Sequence, residues 1–381
     1  MDLRARKLRL LKRIFFVPEV CAGRDSMQRL SCLDPGARVL ILAGGSASRT
    51  GILEKVTAQC KGAAACEVVA LDHGEPTAAA ITGLRDRVRD FAPEWIVGVG
   101  GGSVLDMAKF IWAQYEHPEL EWDGPVAIPP LHALARLILA PTTAGSGSES
   151  SQAAVLIGNS GTKVPYVSSH WLPDLVILDP ALTAGMPAAL TASTGFDALT
   201  HAVESAVSSL SHNMLRSLSG TVVRNIHRHL PQAVRAPQDL AVREAMQNAS
   251  FLGGLCQSTA STGAAHALSH ATTALHGTAH GVATGFYLAP TMRFNQGKNP
   301  AVYNELALES GVPSGEALIV AIETLAQEVG LPRRLRDLVG RDLGPEDKRT
   351  LADTAVKDVC MRTNACQLSP LEVEEMLQTL G

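Results

Sequence analysis

Fifteen residues, 266 to 280, hold four of the chain's twelve histidines: His266, His270, His276 and His280, spaced i, i+4, i+10 and i+14. On a helix, His266 and His270 share a face, because residues four apart are neighbours along the axis. Gly277 and Gly281 interrupt the run, which lets His280 turn back toward that face from the next segment. Imidazole is the commonest protein metal ligand and titrates near neutrality. One histidine in an Ala-rich helix is an ordinary core residue, whereas four punctuated by glycine point to a metal or catalytic site. Upstream, Asp197 and His201 are also i and i+4. An acid and a histidine on an apolar helix are costly to bury unless they pair with each other or bind a metal. Together with His266 and His280 they make one carboxylate and three imidazoles, a donor set suited to Fe2+ or Zn2+ rather than Ca2+ or Mg2+.

The elements that must position these residues divide the chain. Short apolar runs at residues 37–43, 66–71, 95–99, 137–140, 153–157 and 175–178 read as strands, with helical periodicity at 52–61 and 78–91 between them. This alternation predicts a doubly wound parallel sheet with ligands at the carboxyl ends of its strands. After about residue 184 the alternation stops. Ala- and Leu-rich segments near 187–209, 211–231, 236–257, 262–275, 281–297, 315–329, 344–361 and 368–379 predict an all-helical domain, punctuated by Pro231, Pro237 and Pro290. The expected division is an α/β domain over 1–183 and a helical domain over 184–381.

Three turns in the first half carry ligand-binding chemistry. Gly100, Gly101, Gly102 and Ser103 follow a strand and open a helix, where glycines let a phosphate approach amides at a positive helix end. Ser103 and Asp106 also have the spacing of a capping box in that turn. The stretch Pro141 to Glu149 concentrates Thr142, Thr143, Ser146 and Ser148 after another strand, as a loop touching ribose or phosphate does. The third turn bears on cofactor choice. Folds that prefer NAD place a carboxylate where it bonds the adenosine ribose. The corresponding place here is Gly44, with Gly45, Ser46, Ser48 and Arg49 behind it, so NADP(H) is expected over NAD(H).

Composition narrows the classes. The 381 residues are 46% hydrophobic and 18% charged, which excludes wholesale disorder, and the net charge of −4 gives no field favouring nucleic acid. Seven scattered cysteines without a CxxC pair fit reduced thiols in a cytoplasm. No apolar run reaches the roughly eighteen residues of a membrane span. The basic start from Arg4 to Arg13 reads as an arm before a first strand rather than a secretory signal.

Taken together, these segments resemble the iron-containing (group III) alcohol dehydrogenases along almost the whole chain. The matches are Gly100 to Lys109, Pro141 to Glu149, Leu175 to Thr183, Gly195 to Glu204 and His266 to Gly281. Gly44-Gly45-Ser46 and Leu275-His276-Gly277 are most similar to the NADPH-dependent aldehyde reductase and butanol dehydrogenase branch. The resemblance implies a Rossmann-like domain followed by an all-helical metal domain of the dehydroquinate synthase-like fold. It implies one divalent metal on Asp197, His201, His266 and His280, and a catalytic His270 near the nicotinamide. His276 matches the branch with no defined role. The pyrophosphate loop implied is Gly100, Gly101, Gly102, Ser103 and Asp106. Thr142, Thr143, Ser146 and Ser148 are implied contacts to nicotinamide and ribose, and Lys163 is an implied pocket lysine. A small aldehyde or alcohol substrate and a homodimer or larger homo-oligomer are expected, with no nucleic-acid or membrane partner. Ser146 stands where the family more often has Thr, and Ala365 follows Asn364 where it often has Pro. Two related activities share the fold. A cyclising lyase of the dehydroquinate synthase type needs several basic residues around its metal, and only Lys109 and Lys163 stand out. A maleylacetate reductase lacks the acidic ligand, whereas Asp197 is present.

Overall fold

The computed structural model describes residues 13–71, 74–124, 126–159, 161 and 163–381. The basic residues 4–12 lie outside them. The chain forms two compact units. One comprises Phe16–Met186 with Pro237–Phe251, and the other Pro187–Ala236 with Leu252–Gly381.

The first unit is built on a six-stranded sheet in which every neighbouring pair is parallel. Its strands are β1 (Glu19–Ala22), β2 (Arg38–Gly44), β3 (Ala65–Leu71), β4 (Trp95–Gly100), β5 (Arg136–Pro141) and β8 (Leu175–Leu178), in the spatial order β1-β8-β5-β4-β2-β3. Between them run α1 (Gly45–Arg49), α2 (Ile52–Gln59), α3 (Ala78–Phe91) and α4 (Gly102–Glu116). Beyond Arg38 and Arg136, which open β2 and β5, the central strands are apolar because both faces are covered. Leu40 and Leu42 pack on one side with Phe110 and Trp112 of α4, while Val39 and Ile41 pack on the other with Ala47, Ile52 and Val56. From β2 the chain moves outward to β3, then returns to place β4 on the opposite side of β2. This reversal is a topological switch point, the place where open α/β sheets bind ligands. Gly44 ends one of its flanking strands and Gly100 the other.

Several sequence expectations need correction. Residues 153–157 are not part of the parallel sheet. They form β6 (Ala153–Ile157), which pairs antiparallel with β7 (Lys163–Val167), a strand the sequence reading did not propose. The alternating burial of β6 marks a hairpin with one covered face, and Tyr166 seats it against Phe110, ring centroids 5.4 Å apart. Gly44-Gly45 is no open turn, since α1 starts directly after β2. The capping box at Ser103 and Asp106 does not form. Gly101 is the N-cap of α4, and Asp106 turns inward to accept from Ser148 Oγ and from Val155 N at 2.9 Å.

The second unit holds α5 (Ala188–Val207), α6 (Asn213–Arg235), the last part of α7 (Leu240–Ala260), α8 (Ala264–His276), α9 (His280–Lys298), α10 (Pro300–Glu309), α11 (Gly315–Glu328), α12 (Leu335–Val339), α13 (Pro345–Ala355) and α14 (Pro370–Thr379). The short helices α10 and α12 escaped the periodicity reading. Pro231 and Pro290 lie inside α6 and α9 rather than between helices. Each costs a backbone hydrogen bond, which the burial of Leu230, Pro231 and Ala233 offsets in α6. Leu268, Phe286, Tyr287, Leu351, Val373 and Leu377 form a core beneath α8 and α9.

One buried charge cluster braces the loop after β5. The Lys109 ammonium is fully buried and gives its protons to the carbonyls of Ser148, Ser151 and Ala153 at 2.7, 2.8 and 2.9 Å. Burial pulls it down to about 8 against the nearby Asp106 and Glu149 charges. Burial likewise pushes Glu149 up to about 7 from 4.5. A carboxyl raised on folding keeps its proton in the native state where the unfolded chain releases it. Its contribution to stability is therefore full below about 4.5 and lost as pH rises toward 7. Glu149→Gln should flatten this decline, measured as the slope of the urea midpoint against pH over that window. An unchanged slope would place the titration elsewhere.

Candidate metal centre and cofactor turns

The four expected ligands come from three helices. Asp197 and His201 stand one turn apart on α5, His266 lies in the first turn of α8, and His280 opens α9. Asp197, His201 and His266 are buried and bring one donor atom each within 4.8 Å of the others. His266 Nε2 lies 3.7 Å from Asp197 Oδ1, and His280 Nε2 lies 3.5 Å from the same oxygen. His201 stacks on His266 with ring centroids 4.7 Å apart. Asp197 Oδ1, His201 Nδ1 and His266 Nε2 are buried without a hydrogen-bond partner. Each such orphan costs about 1–3 kcal/mol, and Asp197 Oδ1 and His266 Nε2, two of them facing each other at 3.7 Å, fit a bound cation. Burial drives the Asp197 carboxyl up, but the imidazoles of His201, His280 and His266 outweigh it and hold it below the usual range. Burial and His201 keep His266 well below its ordinary value, hence as the neutral ring a metal takes.

Residues behind the set fix its orientation. Glu204, one turn beyond His201, accepts from His266 Nδ1 at 2.6 Å and from the amides of Gly263 and Ala265 at 2.9 and 2.6 Å. Burial pushes Glu204 up to about 7, with those donors opposing. Its hydrogen bond turns Nε2 of His266 toward Asp197, the carboxylate–histidine arrangement that supports metal ligands. Ser269 Oγ lies 3.2 Å from His280 Nδ1, leaving Nε2 toward Asp197. Gly281 permits the approach of α9 to α5, because a Cβ there would stand 2.7 Å from Ser193 O. Asn364 Oδ1 accepts from Ala264 N at 3.2 Å and Asn295 Nδ2 at 3.0 Å, tying down the start of α8.

His270 and His276 fall outside this set. His270 stacks on His280, centroids 5.3 Å apart, and gives its Nδ1 to Asp358 Oδ2 at 2.9 Å. Burial would raise Asp358, but this bond and the amide of Cys360 hold it low, so it acts as an ionised acceptor. His276 ends α8, where burial and Arg341 lower it, and it belongs to neither cluster of metal-type donors.

The expected cofactor residues lie at strand ends in the α/β unit. Gly101, Gly102 and Ser103 start α4 with free amides at a helix N-terminus. The next strand brings its turn alongside, since Thr142 N donates to Gly100 O at 2.9 Å. A Cβ on Gly102 would stand 2.7 Å from Ser146 Oγ, so glycine is required for the two turns to meet. Thr143 packs beside Gly101. Asp106 and Ser148 spend their side chains on each other and brace these turns from within. Ser46 and Arg49 are exposed on α1 beside Gly44 and Gly45. Lys163 is exposed on β7 and pairs with Glu75.

Residues 18–180 match the family model described as iron-containing alcohol dehydrogenase, and residues 191–381 match its Fe-containing alcohol dehydrogenase C-terminal model. The chain belongs to the iron-containing alcohol dehydrogenase family. It is 30% identical to the NADPH-dependent butanol dehydrogenase of Clostridium saccharobutylicum over 94% of this chain and 95% of that one. The crystal structure of a 1,3-propanediol oxidoreductase superposes with a TM-score of 0.89 at 29% identity, covering 97% of this chain and all of the other (100%). Sulfoacetaldehyde reductase from Bifidobacterium kashiwanohense, solved in complex with NAD+, superposes at 0.87 with 25% identity over 97% and 99% of the two chains. This iron-containing alcohol dehydrogenase is a metal-dependent alcohol or aldehyde oxidoreductase acting on small molecules. The lyase alternative is not favoured, and Lys109, its protons all given to carbonyls, has none for a phosphate.

Sequence reasoning gave no role to Glu204, Ser269, Asp358 or Asn364, although Glu204 and Asn364 stand in stretches it singled out. Glu204 had a signal, being i+7 from Asp197 and i+3 from His201 on the same face. Asp358 had none, since it meets His270 from 88 residues away. Replacing Asn364 with Ala removes the acceptor of a buried amide and should lower stability by about 1–3 kcal/mol, read from urea unfolding.

Proposed function

We propose that Asp197, His201, His266 and His280 hold one Fe2+, and that the α/β unit binds NADP(H) in preference to NAD(H), for reversible reduction of a small aldehyde. The observation that carries this reading is the buried, unpartnered Asp197 Oδ1 with His266 and His280 turned toward it. Zn2+ suits the same donors; the family's description favours iron. The bound cation supplies Lewis acidity to the substrate oxygen and the nicotinamide supplies or takes the hydride.

The chain's own residues do the rest. Glu204 and Ser269 hold His266 and His280 so that each directs Nε2 at Asp197. Asp358 takes the Nδ1 proton of His270 in its hydrogen bond, which leaves Nε2 with the lone pair to exchange a proton with the substrate oxygen. Amides at the start of α4 favour the pyrophosphate, and Thr142, Thr143 and Ser146 contact ribose and nicotinamide. Gly44 in place of a carboxylate, followed by Ser46 and Arg49, supports the 2′-phosphate preference. The seven free cysteines support a cytoplasmic setting.

Asp197→Ala should lose bound metal, by elemental analysis, together with turnover of an aldehyde panel under NADPH. Retained turnover in a metal-free variant refutes the reading. Glu204→Gln should weaken the metal about 10–100-fold, as read by chelator competition, with the fold intact. Arg49→Ala should raise KM for NADPH while leaving KM for NADH nearly unchanged; equal rises would remove Arg49 from the 2′-phosphate site.

A further inference from the structure

A second group of metal-type donors stands apart from the Asp197 set. His270, Asp358 and Cys360 bring an imidazole nitrogen, a carboxylate oxygen and a thiol sulfur within 4.8 Å of one another. Local structure holds each in place. Asp358 caps the 3-10 turn Val359–Thr363 by accepting from Cys360 N at 2.8 Å. Its second oxygen takes His270 Nδ1 at 2.9 Å, and the Cys360 sulfur lies within 4.8 Å of both donors. The His270 side chain is 40% exposed, which gives a cation a way in, while Cys360 is buried at the inner end.

The two clusters differ in chemistry. The Asp197 set offers nitrogen and oxygen only, whereas this one includes sulfur, the donor that selects thiophilic cations such as Zn2+. We propose that His270, Asp358 and Cys360 form a second, inhibitory binding site for a thiophilic divalent cation. The cation binds Cys360 Sγ, whose proton leaves to solvent, together with an Asp358 oxygen and His270 Nδ1. The proton on Nδ1 then moves to Nε2, so His270 no longer has a lone pair there. Binding stands on the donor geometry alone; the inhibition rests on the proton role proposed above for His270.

Co2+ separates the possibilities, because thiolate-to-cobalt charge transfer reports a sulfur ligand and the Asp197 set has none. Enzyme loaded with one equivalent of Fe2+ is titrated with Co2+, following the ultraviolet band, iron content and turnover together. The expected result is a band that saturates at one further equivalent, with iron retained and turnover falling in step. Zn2+ should abolish the band and inhibit. Cys360→Ser should lack the band and need about 10-fold or more Zn2+ for the same fractional inhibition of its own zinc-free rate. Cys360→Ala gives the same comparison if the serine protein folds poorly. No band in the wild type, or a band that survives both replacements, overturns the site. Iron released in step with inhibition overturns it too, since the cation then acts at the first set. A Cys360-dependent band with undiminished turnover keeps the site, and overturns both its inhibitory action and the role given to His270.

Discussion

The structure depends on one buried carboxylate. Asp197 lies inside a helical unit, its Oδ1 unpaired, with histidine nitrogens from two further helices close by. A charge cannot be buried in protein without compensation, and here the arrangement supplies it in layers. Imidazoles surround Asp197, and Glu204 and Ser269 hold two of the imidazoles. Glu204 is held in turn by the amides of Gly263 and Ala265. Those amides open α8, whose first residue hangs from Asn364. A chain of hydrogen bonds thus links the C-terminal region to the donor set, and the unit's apolar core lies beneath the same two helices.

The α/β unit solves a different problem with similar economy. Its ligand-type turns must expose backbone amides while staying rigid. Close approach of Gly102 to Ser146 packs the turns together on the outside, and Asp106, Ser148 and Lys109 tie them on the inside. Side chains that read in sequence as phosphate contacts divide between these tasks. Ser103, Thr143 and Ser146 border the amides, whereas Asp106 and Ser148 are consumed internally.

Legibility followed the range of the interaction. Periodicity within one segment located α3 and β8 with the bounds observed, because buried strands and amphipathic helices carry their signal locally. The i, i+4 pair Asp197 and His201 was visible for the same reason. Partnership across the chain was not. The run at 153–157 looks like any buried strand, and only its pairing with β7 separates it from the parallel sheet. Pro231 reads as the end of the segment 211–231 and sits within α6. His270 could be singled out in its helix, while the Asp358 that fixes its ring reads as part of a helix near 344–361 and instead caps a 3-10 turn. Family likeness supplied the roles that spacing alone leaves open, and geometry then separated the residues that face a ligand from those that hold them.

X-ray absorption at the iron edge of protein loaded with one equivalent of Fe2+ probes the converging donor set most directly. The account predicts a shell of nitrogen and oxygen neighbours, ring scattering from three imidazoles and no sulfur. A sulfur neighbour, or a shell of oxygens without imidazole scattering, would contradict it.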